Sequence, residues 1–224
     1  MQIITCSTPL WFGISEIIIQ LIFALVTFFV AFFAYKVYKI SRQKPSLLFG
    51  LGFIAVSFAY FIAAIFNYLL LMGVRTIHIL PNAGIIAHHM MQLSVLVVAL
   101  HMLSMISGLA LLAYVTLKER GVKVFLLILS TSLVGLVMSA SLGVTFYVIT
   151  SIFLLFITAQ YFQRHARKPT TSTLMIFLGF GMLFLGNIQL AFATNLSLLY
   201  ISGHFISLFG YLLLLASLLR VTRR

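Results

Sequence analysis

The residues in this sequence best suited to chemistry are two histidines set in matching apolar stretches. Gln92-Leu-Ser-Val-Leu-Val-Val-Ala-Leu-His101-Met-Leu-Ser104 aligns without a gap on Asn195-Leu-Ser-Leu-Leu-Tyr-Ile-Ser-Gly-His204-Phe-Ile-Ser207. His101 lies 17 residues before Lys118 and His204 lies 16 before Arg220. At the rise of an α-helix both imidazoles then sit at nearly equal depth, roughly 25 Å from the basic helix ends. The 3.6-residue period groups Met90, Ser94, His101, Ser104, Met105 and Gly108 on one face, and Ser197, Tyr200, His204, Ser207 and Tyr211 on another. A polar face inside an apolar helix is by default a functional hypothesis, because an unpaired ionisable group in hydrocarbon is expensive. Neutral imidazole ligates iron, copper and zinc, and haem iron is commonly held by axial histidine. The pattern therefore predicts a haem b held by His101 and His204, with Ser104, Ser207, Met105 and Tyr211 around it. Two other readings stand beside it. The histidines hydrogen-bond across helices and hold the bundle together, or they line a proton or solute path.

A second candidate is His88-His89-Met90-Met91, with His78 upstream. Imidazole and thioether side chains together select copper, so copper bound by His88, His89, Met90 and Met91, or by His101 and His204, is the alternative cofactor. An interfacial helix end rich in soft side chains is the plainer reading. Several classes are excluded outright. The chain has two acids: Glu119 among basic residues, read as a solvated ion-pair partner, and Glu16 near the start of the first span, read as reaching the interface. Paired-carboxylate and Ser-His-Asp catalysis are thus unavailable, and no phosphate-cradling glycine loop is present. Cys6, the only cysteine, rules out an intrachain disulfide. His165, between Arg164 and Arg167, reads as a surface group, and the Asn195-Leu-Ser197 sequon falls at the start of a span.

The elements that position these residues follow from composition. Of 224 residues 63% are hydrophobic and 7% charged, where a soluble domain carries about a quarter charged. The fold class is all-α, a polytopic membrane protein with seven transmembrane helices at 14–37, 47–72, 86–117, 122–140, 143–163, 171–192 and 196–220. Basic residues gather after spans one, three, five and seven, as in Lys36–Lys44, Lys118–Lys123, Arg164–Lys168 and Arg220–Arg224, while the other connections carry only Arg75. That alternation puts the basic loops in the cytoplasm of a cell-membrane protein, with the N-terminus outside and the C-terminus inside. The expected surface partner is an anionic inner leaflet rather than nucleic acid. Partner subunits in the membrane are a further expectation. Helix three is longer than a bilayer requires, and the tightest connection is Ser139–Gly143.

The His101/His204 match extends to the preceding loops. Lys44-Pro45 precedes Leu51-Gly52-Phe53, as Lys168-Pro169 precedes Leu178-Gly179-Phe180. The chain reads as a three-plus-one-plus-three parallel internal repeat, 14–117 and 143–220, joined by a linker helix at 122–140. An odd-numbered repeat joined by one helix keeps both copies in one orientation. This topology resembles sugar-transporting seven-helix proteins, although Pro9, Pro45, Pro81 and Pro169 all fall outside the spans, which favours a rigid bundle. Helix count and orientation also resemble microbial rhodopsins. Those carry a lysine in the last span, and here every lysine lies at a helix end or in a loop, so a retinal Schiff base is excluded. The paired histidines resemble those of b-type membrane cytochromes. The leading expectation is a haem-binding electron-transfer subunit. The rivals are a seven-helix sensor or receptor with no output domain fused after span seven, and a small-solute or ion transporter.

Overall fold

The computed structural model describes residues 10–77, 83–117, 121–139, 141–193 and 197–222. Side chains are described for 14–69, 71, 92–117, 121, 123–139, 141–193 and 198–222. The described residues form seven helices: α1 (Leu10–Ser41), α2 (Lys44–Ile77), α3 (Ala83–Thr116), α4 (Val122–Val137), α5 (Leu142–Arg167), α6 (Thr171–Phe192) and α7 (Ser197–Thr222). Six of them, all but α4, are long and apolar enough to cross a membrane. Their outward surfaces are apolar as well. Phe28, Phe32, Ile152, Phe205 and Phe209 are more than half exposed, which suits a lipid surround rather than water.

Six helices close a ring in the order α1, α2, α3, α5, α6, α7, and α7 packs back on α1. The fourth helix lies outside the ring against α3 and α5 alone, and much of it is uncovered, Leu127 being 67% and Val137 79% exposed. Its 16 residues rise about 24 Å. It nevertheless carries the chain from one end of the bundle to the other, because α3 and α5 are parallel. Arg164, near the end of α5, donates from Nη2 to the Thr116 carbonyl at the end of α3, at 3.2 Å. Ser139 and Thr145 hydroxyls bond at 2.6 Å across the connection between α4 and α5.

Glycine decides how the ring closes. A Cβ on Gly108 would stand 2.8 Å from the Gly52 carbonyl oxygen, and one on Gly210 would stand 2.8 Å from that of Gly179. No side chain fits at either crossing, so α2 meets α3, and α6 meets α7, backbone to backbone. Leu112 and Leu214 fill the hollows left by Gly52 and Gly179. A second likeness links α1 and α5. The buried Thr27 hydroxyl donates to the Phe23 carbonyl at 2.6 Å, and the buried Thr150 hydroxyl to the Phe146 carbonyl at 2.9 Å. In the ring interior Phe53 of α2 meets Phe180 of α6, centroids 6.4 Å apart.

These contacts shift the register read from sequence. The gapless match pairs His101 with His204, whereas the crossings pair Gly108 with Gly210 and Leu112 with Leu214. That places His101 opposite Gly203, and His204 opposite Met102. A one-residue shift corresponds to a rotation of about 100°, so the sequence match and the glycine crossings disagree on which residues of α3 and α7 correspond. Shared residue types produced the sequence match. The packing register is set instead by the positions that cannot carry a Cβ.

Candidate functional site

The single carboxylate in the described helices organises the end of the bundle opposite the basic helix ends. Glu16, in the second turn of α1, accepts on Oε1 from the Tyr200 hydroxyl of α7 at 2.6 Å and from Gln20 Nε2 at 3.3 Å. Gln20, only 8% exposed, accepts in turn from Asn67 Nδ2 of α2 at 3.0 Å. Three helices are thus tied through one acid and two amides. Glu16 does not simply reach an interface as its sequence position suggested. It stands one turn before Gln20, on the inner face of α1.

A cleft of about 160 Å³ opens beside this network, between α1, α2 and α3. Glu16, Gln20 and Asn67 supply its polar wall, Phe66 and Val97 part of its apolar wall, and His101 also lines it. His101 is held by its own bond, Nδ1 to the Ala59 carbonyl oxygen of α2 at 2.9 Å. A carbonyl only accepts, so Nδ1 carries a proton, and in the neutral imidazole Nε2 is then the acceptor or ligand atom. The ring packs against Phe146 of α5, centroids 5.6 Å apart.

His204 is placed differently. It is 8% exposed, and neither ring nitrogen has a hydrogen-bond partner among the described residues. Its ring packs against Phe23, centroids 5.8 Å apart, and edge-on against Tyr200 at 4.5 Å. Helices α3 and α7, which carry the two histidines, stand on opposite sides of the ring and make no direct contact among the described residues. Each imidazole therefore packs on a phenylalanine of the adjoining helix. The cleft that reaches His101 is smaller than the several hundred Å³ of a pocket for a large organic ligand.

The remaining predicted site residues have structural partners. Ser104 donates to the Ala55 carbonyl of α2 at 2.9 Å. Ser207 is buried against Gly186, and Met105 is buried in the apolar core. Tyr211 and Tyr60 hydroxyls bond at 3.0 Å across the ring interior. No group of three or more His, Cys, Asp or Glu side chains is placed to hold a metal ion among the described residues. The side chains of His88, His89, Met90 and Met91, and all of His78, lie outside the described residues.

Sequence reasoning undervalued Glu16, Gln20 and Asn67. Gln20 lies four residues after Glu16 on one α1 face, a spacing that is itself a signal of a polar patch inside an apolar helix. Its partners on α2 and α7 come from far along the chain and had no signal of their own. Comparison with protein families, with curated proteins and with solved structures gives no match.

Proposed function

We propose that this chain is a seven-span membrane receptor that binds a small amine or ammonium at its outer end. The orientation rests on the basic clusters, which share the end opposite Glu16. The observation that carries the reading is the Glu16 network beside its cleft. One carboxylate, two amides, a neutral histidine and apolar walls suit a singly charged organic cation. A calcium ion prefers six to eight oxygen ligands, a set that one acid does not supply. Apolar and aromatic walls such as Phe66 also favour an ammonium.

The interior beyond the cleft favours a receptor over a transporter. Phe23 packs on Tyr60 and Tyr211, and Tyr60 and Tyr211 are joined edge to face. Towards the basic end Phe53, Phe180 and the stacked Tyr161 continue this fill. The cleft ends on an aromatic core, and no helix is broken among the described residues. Cation binding at Glu16 competes with Tyr200 for the carboxylate, and so bears directly on the contact between α1 and α7. The likeness of the two glycine crossings supports the three-plus-one-plus-three repeat, with α4 as the linking span.

The test uses the purified full chain in mild detergent. Tetramethylammonium and methylammonium chlorides should raise the melting temperature relative to equal sodium chloride, and Glu16→Gln should remove that rise. No ammonium-specific rise in the wild-type chain would overturn the reading. Reporters fused ahead of Met1 and after Arg224 should read external and cytoplasmic, and the reverse would invert the site's orientation.

A second reading is favoured by one observation, the unpartnered His204 ring. A haem b bound by His101 and His204 would give that imidazole a partner and supply electron transfer. It requires Phe23 and Phe146 to move off the two rings. A Soret band that shifts on dithionite reduction, weakened by His204→Ala, would support it. A colourless protein from haem-supplied cells would remove it, and metal analysis of the same sample would test copper at His88, His89, Met90 and Met91.

A further inference from the structure

The basic end of the bundle holds a second cleft, larger than the first and of opposite chemistry. Its volume is about 440 Å³, and it opens where α4 leaves α3 and α5. Thr116 of α3, Val124 of α4, and Gln160, Gln163, Arg164 and Arg167 of α5 line it. The opening follows from the weak seating of α4, which touches only these two neighbours.

Arg164 is held in place by two contacts. One guanidinium nitrogen donates to the Thr116 carbonyl at 3.2 Å, satisfying an acceptor that the end of α3 leaves open. The guanidinium carbon stands 5.1 Å from the Tyr161 ring centroid, within cation–π range. A guanidinium has five N–H donors, so one bond to Thr116 leaves most of its fork for another acceptor. Arg167 is three residues on, along the same α5 face. Glu16, the one acid among the described residues, lies at the opposite end of the bundle.

We infer that this cleft binds the phosphate of an anionic phospholipid headgroup, with Arg164 and Arg167 as the phosphate donors and Gln160 and Gln163 toward the headgroup's hydroxyls. Two arginines match phosphate in charge and in planar, two-pronged geometry. Their position at the basic ends of apolar helices puts them at headgroup level, where basic pockets between spans bind anionic lipid. The site is distinct from the Glu16 cleft and does not depend on how that cleft functions.

The experiment is a thermal melt of the delipidated full chain in detergent, with phosphatidylglycerol, phosphatidylcholine or inorganic phosphate added. Phosphatidylglycerol should raise the midpoint by several degrees more than phosphatidylcholine. Arg164→Gln and Arg167→Gln should each shift the half-saturating lipid concentration about tenfold, one charge-assisted contact being about 1.4 kcal/mol or more. Should Arg164→Gln fail to fold, Arg167→Gln paired with Gln163→Leu carries the same test. A rise with inorganic phosphate alone, lost in the arginine variants, keeps the phosphate site and assigns it a soluble ligand. Lys36→Gln with Lys39→Gln, at the same end but away from the cleft, should leave the lipid response unchanged. An equal loss in that variant, or equal responses to both lipids without any phosphate effect, would overturn the site.

Discussion

The crossing of α2 with α3 and that of α6 with α7 are built on the same glycine joint, and the polar groups around them differ. In α1–α3 the crossing is Gly52 on Gly108, and in α5–α7 it is Gly179 on Gly210, with nearly equal clearances. Phe23 and Thr27 of α1 have counterparts in Phe146 and Thr150 of α5. The polar groups break this likeness. Where the first half has Glu16 and Gln20, the second has Ser139 and Gly143 at the corresponding turns. Where α2 has Tyr60, α6 has Asn187, whose amide donates to the Tyr147 carbonyl, Thr150 and Ser151 at 2.7–2.8 Å. Likeness marks what the backbone needs in order to close the ring. The Glu16 network lies where the halves differ, because packing alone does not call for an acid at that position.

The largest expected effect tests the likeness itself. Gly108→Leu and Gly210→Leu each drive a side chain into a backbone carbonyl that cannot yield. Each should destabilise by about 3 kcal/mol, the upper end of over-packing costs, read as loss of monodisperse protein after extraction. Gly143→Leu meets nothing within 4 Å and should extract normally. If one crossing tolerates leucine and its counterpart does not, the halves are alike in outline only. Next in size is Asn187→Leu, which removes an amide whose two N–H groups are shared among three acceptors on α5. It should cost about 1–2 kcal/mol, the range of strong hydrogen bonds between membrane helices, measured as a lower unfolding midpoint.

The histidines sharpen the comparison through sign rather than size. His101→Leu leaves the Ala59 carbonyl without its partner and should destabilise by about 0.6 kcal/mol, the mean for such interhelical bonds. His204→Leu replaces a buried ring whose nitrogens have no hydrogen-bond partner among the described residues, and should be neutral or stabilising by up to about 1 kcal/mol. Equal losses at both positions would mean that His204 binds something in the purified protein. The smallest change is expected of Tyr60→Phe, which removes one hydroxyl bond to Tyr211 while keeping the aromatic packing. A loss of stability below about 0.6 kcal/mol should be seen, and a larger one would make that bond a principal tie between α2 and α7.

Sequence by itself determined the helices, whose observed ends lie within about five residues of the expected ones. Each of the seven expected segments is a helix, and six of them are long and apolar enough to cross a membrane, because a run of apolar residues leaves the backbone no other way to satisfy its hydrogen bonds in an apolar surround. The excess length of α3 and the tight connection at Ser139–Gly143 were legible on the same grounds. The matched histidines were legible too, but only as residue types along a line. Tertiary structure decided what they face, since a helix position is defined by rotation as well as by order. Gly108 and Gly210 set that rotation through contacts with α2 and α6, and no local pattern in α3 or α7 encodes it. The same holds for Glu16. Its neighbour Gln20 was visible four residues away, whereas Tyr200 and Asn67 reach it only once the ring is closed, when a solitary acid at a helix end becomes the centre of a site.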